Sequence, residues 1–198
     1  MVTGLTAMLA LGLAGCAGRM TSPYSDAERA RLDEYEKAAE RVMKSREIAG
    51  RPPVVGIGSD PALENAGHPA AYYERSARLA NAGRPGTIVV NRSALADDYI
   101  AQAVLSHELA HFVLGHTEEG CRERRHDCEV EAYVTSVELL MTGWGHSYAD
   151  AVRLQYAYLK SVVLAVQRGE ATVARGHVDP CRELQEFSTR FQASASCD

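Results

Sequence analysis

His107 and His111 stand four residues apart, with Glu108 directly after the first. On a helix this spacing projects both imidazoles from one face, a turn apart. Two imidazoles so placed can hold one zinc ion. Glu108 then faces the same space without ligating, where it can take the proton of an attacking water and hand it to a leaving amine. Ala103, Val104 and Leu105 before the pattern, and Phe112, Val113 and Leu114 after it, are apolar and predict a buried helix. Burying two histidines and a carboxylate in a core helix is costly unless a metal or hydrogen bonds compensate. The candidate chemistry is metal-assisted hydrolysis, with His107 and His111 as metal ligands and Glu108 as general base.

A hydrolytic zinc takes three protein ligands and keeps one position open for water. In the extended pattern H-E-x-x-H-x-x-G-x-x-H the third ligand would fall at position 117, where this chain has Thr117. His116 is one residue short and Gly115 is likewise out of register, so His116 reads as a supporting or structural residue. Glu129 is the better third ligand, because a helix running back beside the first can bring its carboxylate to the same ion. Glu131, two positions on, faces another direction, so only one of the two can ligate. His126, Glu123 and Asp127 stay open as ligands from the loop expected before that helix. The competing account of Glu129 is a solvated carboxylate favoured by the helix dipole.

The run from His107 to His116, preceded by the strand-like Thr87-Ile88-Val89-Val90-Asn91, resembles two groups of gluzincin metallopeptidases. One is the HtpX-like and CAAX-prenyl-protease-like family, and the other is the ImmA/IrrE family. The resemblance spans Thr87 to Met141. It implies a zincin-like fold, a zinc cofactor, peptide substrates and a third ligand on the following helix with alanine three residues later, which Glu129 and Ala132 match. Leu139-Leu140-Met141 also looks like the end of that helix in ImmA/IrrE proteins, whereas an export signal favours the HtpX-like side. The chain departs from both patterns at Tyr133, where they carry aspartate or asparagine. The polar partner that orients a zinc histidine must then come from elsewhere or from the phenol itself.

These residues need elements to hold them. Ser25 and Glu28 form a capping-box pattern opening a helix over 26–49, with Leu32, Tyr35, Ala39 and Val42 as its apolar stripe. From Gly50 to Gly86 the texture turns to Gly, Pro, Asn and short β-prone runs. Val54–Ile57 is a predicted strand, Ala71–Tyr73 another, and Thr87–Asn91 the clearest; Glu74–Ala80 is equally compatible with helix. The strand at Thr87–Asn91 is expected to edge the cleft and pair with extended substrate by β-augmentation. Helices are predicted over 97–114, capped by Asp97 or Asp98, and over 128–141, closed by Thr142–Gly145. Two more are predicted over 148–167, from Ser147 to Gly169, and from Asp179-Pro180 onward. The expected fold class is α+β: a small, mainly antiparallel sheet, then packed helices carrying the zinc site, with residues 25–198 as one domain.

The chain has 198 residues, of which 46% are hydrophobic, enough for one domain with a substantial core. A formal net charge of −5 argues against nucleic acid as a partner, which needs a basic surface. Residues 1–15 carry no charged side chain, and their apolar run suits the core of a signal peptide while being too short to span a bilayer. Leu13-Ala14-Gly15-Cys16 resembles the lipobox of bacterial lipoproteins. That implies a diacylglycerol on the Cys16 thiol, a tether over 16–24 and membrane attachment through the lipid. Ala17 after the cysteine points to the outer membrane, facing the periplasm. The usual basic stretch is absent, which predicts a true start upstream of Met1. Cys121, Cys128, Cys181 and Cys197 remain, an even number in an oxidising compartment with no Cys-x-x-Cys pair. Local pairing, Cys121 with Cys128 and Cys181 with Cys197, is expected because each bond closes a short loop.

A peptidase also stabilises the oxyanion beyond the metal. His146, Tyr148, Arg153, Tyr156 and His177 lie downstream as candidates, and spacing selects none of them. The sequence thus reads as a zinc-dependent metalloendopeptidase of the bacterial cell envelope. Two rivals stand beside it: a non-catalytic envelope lipoprotein, chaperone or adaptor, retaining a zincin fold, and a zinc hydrolase acting on a non-peptide amide.

Overall fold

In the computed structural model, which describes residues 24–58, 70–75, 83–169, 179–194 and 197, the chain opens with α1 (Asp26–Ser45). Cys16, the segment ahead of it and His177 lie outside the described residues. Both halves of the capping box start α1: Glu28 N–H donates to Ser25 Oγ at 3.2 Å, and Ser25 N–H donates to Glu28 Oε2 at 2.7 Å. Tyr35, Ala39 and Val42 turn into the core as their spacing predicts, with Leu32 half-buried.

Three strands follow, β1 (Val54–Ile57), β2 (Ala71–Arg75) and β3 (Gly86–Val90), in the spatial order β1-β3-β2. The sheet is mixed, which corrects the expectation of a mainly antiparallel one: β3 runs antiparallel to β2 but parallel to β1. β1 and β2 run in opposite directions on the two sides of β3, so one of its pairings has to be parallel. β3 carries fully buried Ile88 and Val90, and the central position covers both its edges. Thr87–Val90 is therefore not the cleft edge expected from sequence; β1 and β2 are the outer strands. Gly86, opposite Arg75, lets β2 and β3 close together, because a Cβ there would stand 2.2 Å from the Glu74 carbonyl oxygen.

Asn91 ties the sheet to the helices. Its Oδ1 accepts from Ala70 N–H (3.1 Å) and Ala94 N–H (3.0 Å), holding the start of β2 and capping a 3-10 turn at Arg92–Leu95. Then comes α2 (Asp98–Val113), capped by Asp97, whose Oδ1 accepts from Ile100 N–H at 2.8 Å. The residues from Ala103 to Ala110 are all buried, so this is an interior helix rather than an amphipathic surface one. It packs against α1, the 3-10 turn, β2 and later helices.

The remaining elements among the described residues are α3 (Glu118–Cys121), α4 (Arg125–Leu139), α5 (Tyr148–Gln167) and α6 (Pro180–Phe191). α4 lies along α2 and widens into a π turn over Leu140–Trp144, which stops at Gly145 with φ 76°. α5 is capped by Ser147, and α6 by Asp179 with Pro180 in its first turn, as the sequence predicts. Both expected disulfides are present, Cys121–Cys128 and Cys181–Cys197. Among the described residues the architecture is α+β: a three-stranded mixed sheet with six helices. Among the described residues no helix is long and apolar enough to cross a membrane.

Candidate metal centre

α2 sets His107 and His111 one turn apart, with their Nε2 atoms 3.2 Å from each other. α4 carries Glu129 to the same point: Oε2 lies 3.2 Å from His107 Nε2, and Oε1 lies 3.6 Å from His111 Nε2. Atoms held 2.0–2.2 Å from one tetrahedral ion stand about 3.3 Å apart, close to the 3.2–3.6 Å between these three groups, each imidazole facing a different Glu129 oxygen. Ring nitrogens so close need a proton or a cation between them. His107 is 1% exposed and Glu129 8%, so water does little to relieve the crowding, and a cation would. Two imidazoles and one carboxylate leave a tetrahedral ion with an open position, the donor set of a hydrolytic site. Glu108, one residue from His107, is buried with the triangle.

Two tyrosines line the centre. Tyr133, fully buried on α4, lays its ring against His107 with centroids 4.1 Å apart and planes inclined by 32°. At the position where the resemblance implies a polar residue, this chain packs an aromatic ring on the imidazole. Tyr158 on α5 places its ring 6.2 Å from His107 and 6.3 Å from Tyr133. Burial first, and then the carboxylates of Glu108, Glu129 and Glu183, push the Tyr158 phenol well above its ordinary value. It therefore stays protonated at neutral pH and remains a hydrogen-bond donor.

Tyr158 is not among the residues singled out in the sequence. Its signal is the buried stripe Ala151, Gln155, Tyr158, Leu159 and Val162, a phenol set among apolar positions at helical spacing. Among the described residues, the oxyanion candidates drawn from the sequence lie elsewhere. His146 Nε2 lies 2.6 Å from Gln102 Oε1, Tyr156 Oη donates to the Ser194 carbonyl at 3.1 Å, and Arg153 pairs with Asp150. Tyr148 is exposed beside Phe191.

The other candidate ligands also separate. Glu131 turns from the triangle toward His116, with Oε2 3.1 Å from His116 Nε2. His126 Nε2 lies 2.9 Å from Glu186 Oε1 on α6, and Glu123 and Asp127 are exposed. His116 places Nδ1 3.0 Å from His111 Nδ1. Burial first, and then the His111 ring, hold the His116 imidazole below its ordinary value, so it is neutral at pH 7. His116, Cys121 and Cys128 also cluster within 4.8 Å, but the two sulfurs are joined to each other and offer no thiolate. No family model matches the chain, and no curated protein or solved structure matches it either.

Proposed function

We propose that the protein is a zinc-dependent metalloendopeptidase of the gluzincin kind, similar to the HtpX-like and ImmA/IrrE groups, acting on proteins or peptides in the bacterial cell envelope. The observation that carries this reading is the His107–His111–Glu129 triangle with Glu108 buried beside it. His107 Nε2, His111 Nε2 and a Glu129 oxygen would hold the metal. When bound, zinc supplies Lewis acidity that polarises a scissile carbonyl and acidifies water. Glu108 accepts the proton of the attacking water and delivers it to the leaving amine nitrogen as the C–N bond breaks. Tyr133 keeps the His107 ring in one orientation. Tyr158 donates a hydrogen bond to the carbonyl oxygen as negative charge develops there. β2 is an outer strand packed on α2, with Tyr73 6.0 Å from Phe112 between ring centroids, and takes the substrate-edge role that β3 cannot fill.

Cys16 carries the lipid that holds the chain to the membrane. Cells fed labelled palmitate should lipidate the wild type and leave Cys16→Ser unlabelled; equal labelling would remove the anchor from this account.

The test of the activity is metal content and casein cleavage by the full chain in detergent, for wild type and Glu108→Gln. One zinc in both, with cleavage reduced about 10²–10⁴-fold in the variant, is expected of a general base. Folded wild type without zinc would overturn the reading. The low exposure of Glu108, 4%, favours a second account, a zinc-holding envelope adaptor without catalysis. Zinc in both proteins and cleavage of neither casein nor a peptide library would support that account instead.

A further inference from the structure

We infer that His116 is a positioning residue for the metal centre, holding the His111 imidazole through a hydrogen-bonded chain that runs His111–His116–Glu131–Arg124. The inference rests on reading His111 as a zinc ligand. Three contacts define the chain. His111 Nδ1 and His116 Nδ1 are 3.0 Å apart, His116 Nε2 and Glu131 Oε2 are 3.1 Å apart, and Arg124 Nη2 donates to the same Glu131 oxygen at 3.0 Å.

One assignment of protons satisfies all three. A ligand His111 presents the lone pair of Nε2 to the ion, so its proton sits on Nδ1 and is donated to His116 Nδ1. His116 then keeps its own proton on Nε2 and donates it to the Glu131 carboxylate, whose charge Arg124 balances. The opposite tautomer of His116 would set two N–H groups against each other at one end and a bare nitrogen against a carboxylate at the other. The chain therefore fixes both the orientation and the tautomer of His111, the work a carboxylate or carbonyl does behind other metal-bound histidines.

The backbone explains how His116 reaches that position. α2 ends with Gly115 at φ 69°, the His116 N–H donating back to the His111 carbonyl at 2.9 Å and the Gly115 N–H to the Phe112 carbonyl at 3.0 Å. These are the two bonds of a Schellman ending, which brings the residue after the glycine beside the third residue from the helix end. An apolar contact usually joins those two positions; here they are His111 and His116. Glu131 arrives on α4, two residues after Glu129, so one helix supplies both a ligand and the carboxylate behind another. The Cys121–Cys128 bond lies against the His116 ring and braces the start of that helix.

The test is zinc affinity of the full chain in detergent, by chelator competition, with visible spectra of the cobalt(II)-loaded protein. His116→Leu should lose about 10–100-fold in affinity, the usual cost of removing a partner behind a metal ligand, and its cobalt spectrum should shift. His116→Asn places an amide oxygen near the former Nδ1 and should recover most of the affinity and the wild-type spectrum. Glu131→Gln keeps the shape of the chain while removing its charge, and should weaken zinc several-fold with the melting temperature of the metal-free protein unchanged. If wild type binds zinc and His116→Leu and Glu131→Gln bind it as tightly, the inference fails and the metallopeptidase proposal survives. Equal losses in His116→Leu and His116→Asn would overturn it too, by assigning His116 a purely structural role. A folded wild type that binds no zinc would remove both.

Discussion

At the residue scale, two buried phenols beside one candidate metal centre have different work. Tyr133 meets His107 ring to ring, while Tyr158 approaches the same imidazole from α5, its phenol held protonated by burial and the nearby carboxylates. Tyr158→Phe keeps the ring and removes the donor. In peptide hydrolysis it should lower kcat by about 10²–10³-fold, as loss of an oxyanion donor does, with zinc content and KM little changed. An unaltered kcat would take Tyr158 out of the mechanism. The histidine pair and Glu108 are readable before folding because a spacing of four has one meaning on a helix. Tyr158 is not, since a tyrosine in an apolar stripe has the same pattern whether its hydroxyl meets a reaction centre or a backbone carbonyl.

At the element scale, the capped helix starts were the most readable features, while α1 stops at Ser45 rather than at 49. Ser25, Asp97, Ser147 and Asp179 each cap the helix predicted to start beside them. The first has a consequence for acid stability. Hydrogen bonds from Ser25 and the nearby Arg92 guanidinium hold the Glu28 carboxyl below its ordinary value of 4.5, the Ser25 backbone N–H foremost. A carboxyl depressed in the folded state contributes stability that is present above its unfolded value and lost as pH falls through the folded one. Thermal melts should therefore show a loss of stability below about pH 4.5 that is smaller in Glu28→Gln, whose amide can still accept from Ser25. Identical acid profiles would show that other carboxylates govern the transition. Sheet order was not readable. The run at Thr87–Val90 announces a strand, but whether it lies central or outermost depends on which strands reach its two edges.

At the scale of the whole molecule, two short covalent loops restrain the helical part, one between α2 and the start of α4 and one at α6. By the loop-closure argument, bonds closing loops of this length each contribute on the order of 2–3 kcal/mol. Denaturant unfolding with and without reductant should show a loss of that size per bond. The two should differ in kind: Cys121→Ser/Cys128→Ser frees the start of α4 next to Glu129 and should also weaken zinc retention. Cys181→Ser/Cys197→Ser, fastening the chain end to α6, should not. Equal zinc retention in both double variants would separate the Cys121–Cys128 bond from the metal centre.

What the sequence by itself determined is whatever acts within a helical turn or a short loop. That includes the His107–Glu108–His111 face, the caps, and the pairing of neighbouring cysteines. Each depends on geometry over a few residues, which the order of side chains specifies directly. The tertiary structure alone decided the rest: Tyr158 beside His107, β3 between β1 and β2, and His116 joined to Glu131. Those contacts bring together segments separated by tens of residues. Their choice follows from how whole helices and strands share one core, where burial of every apolar face must be satisfied at once.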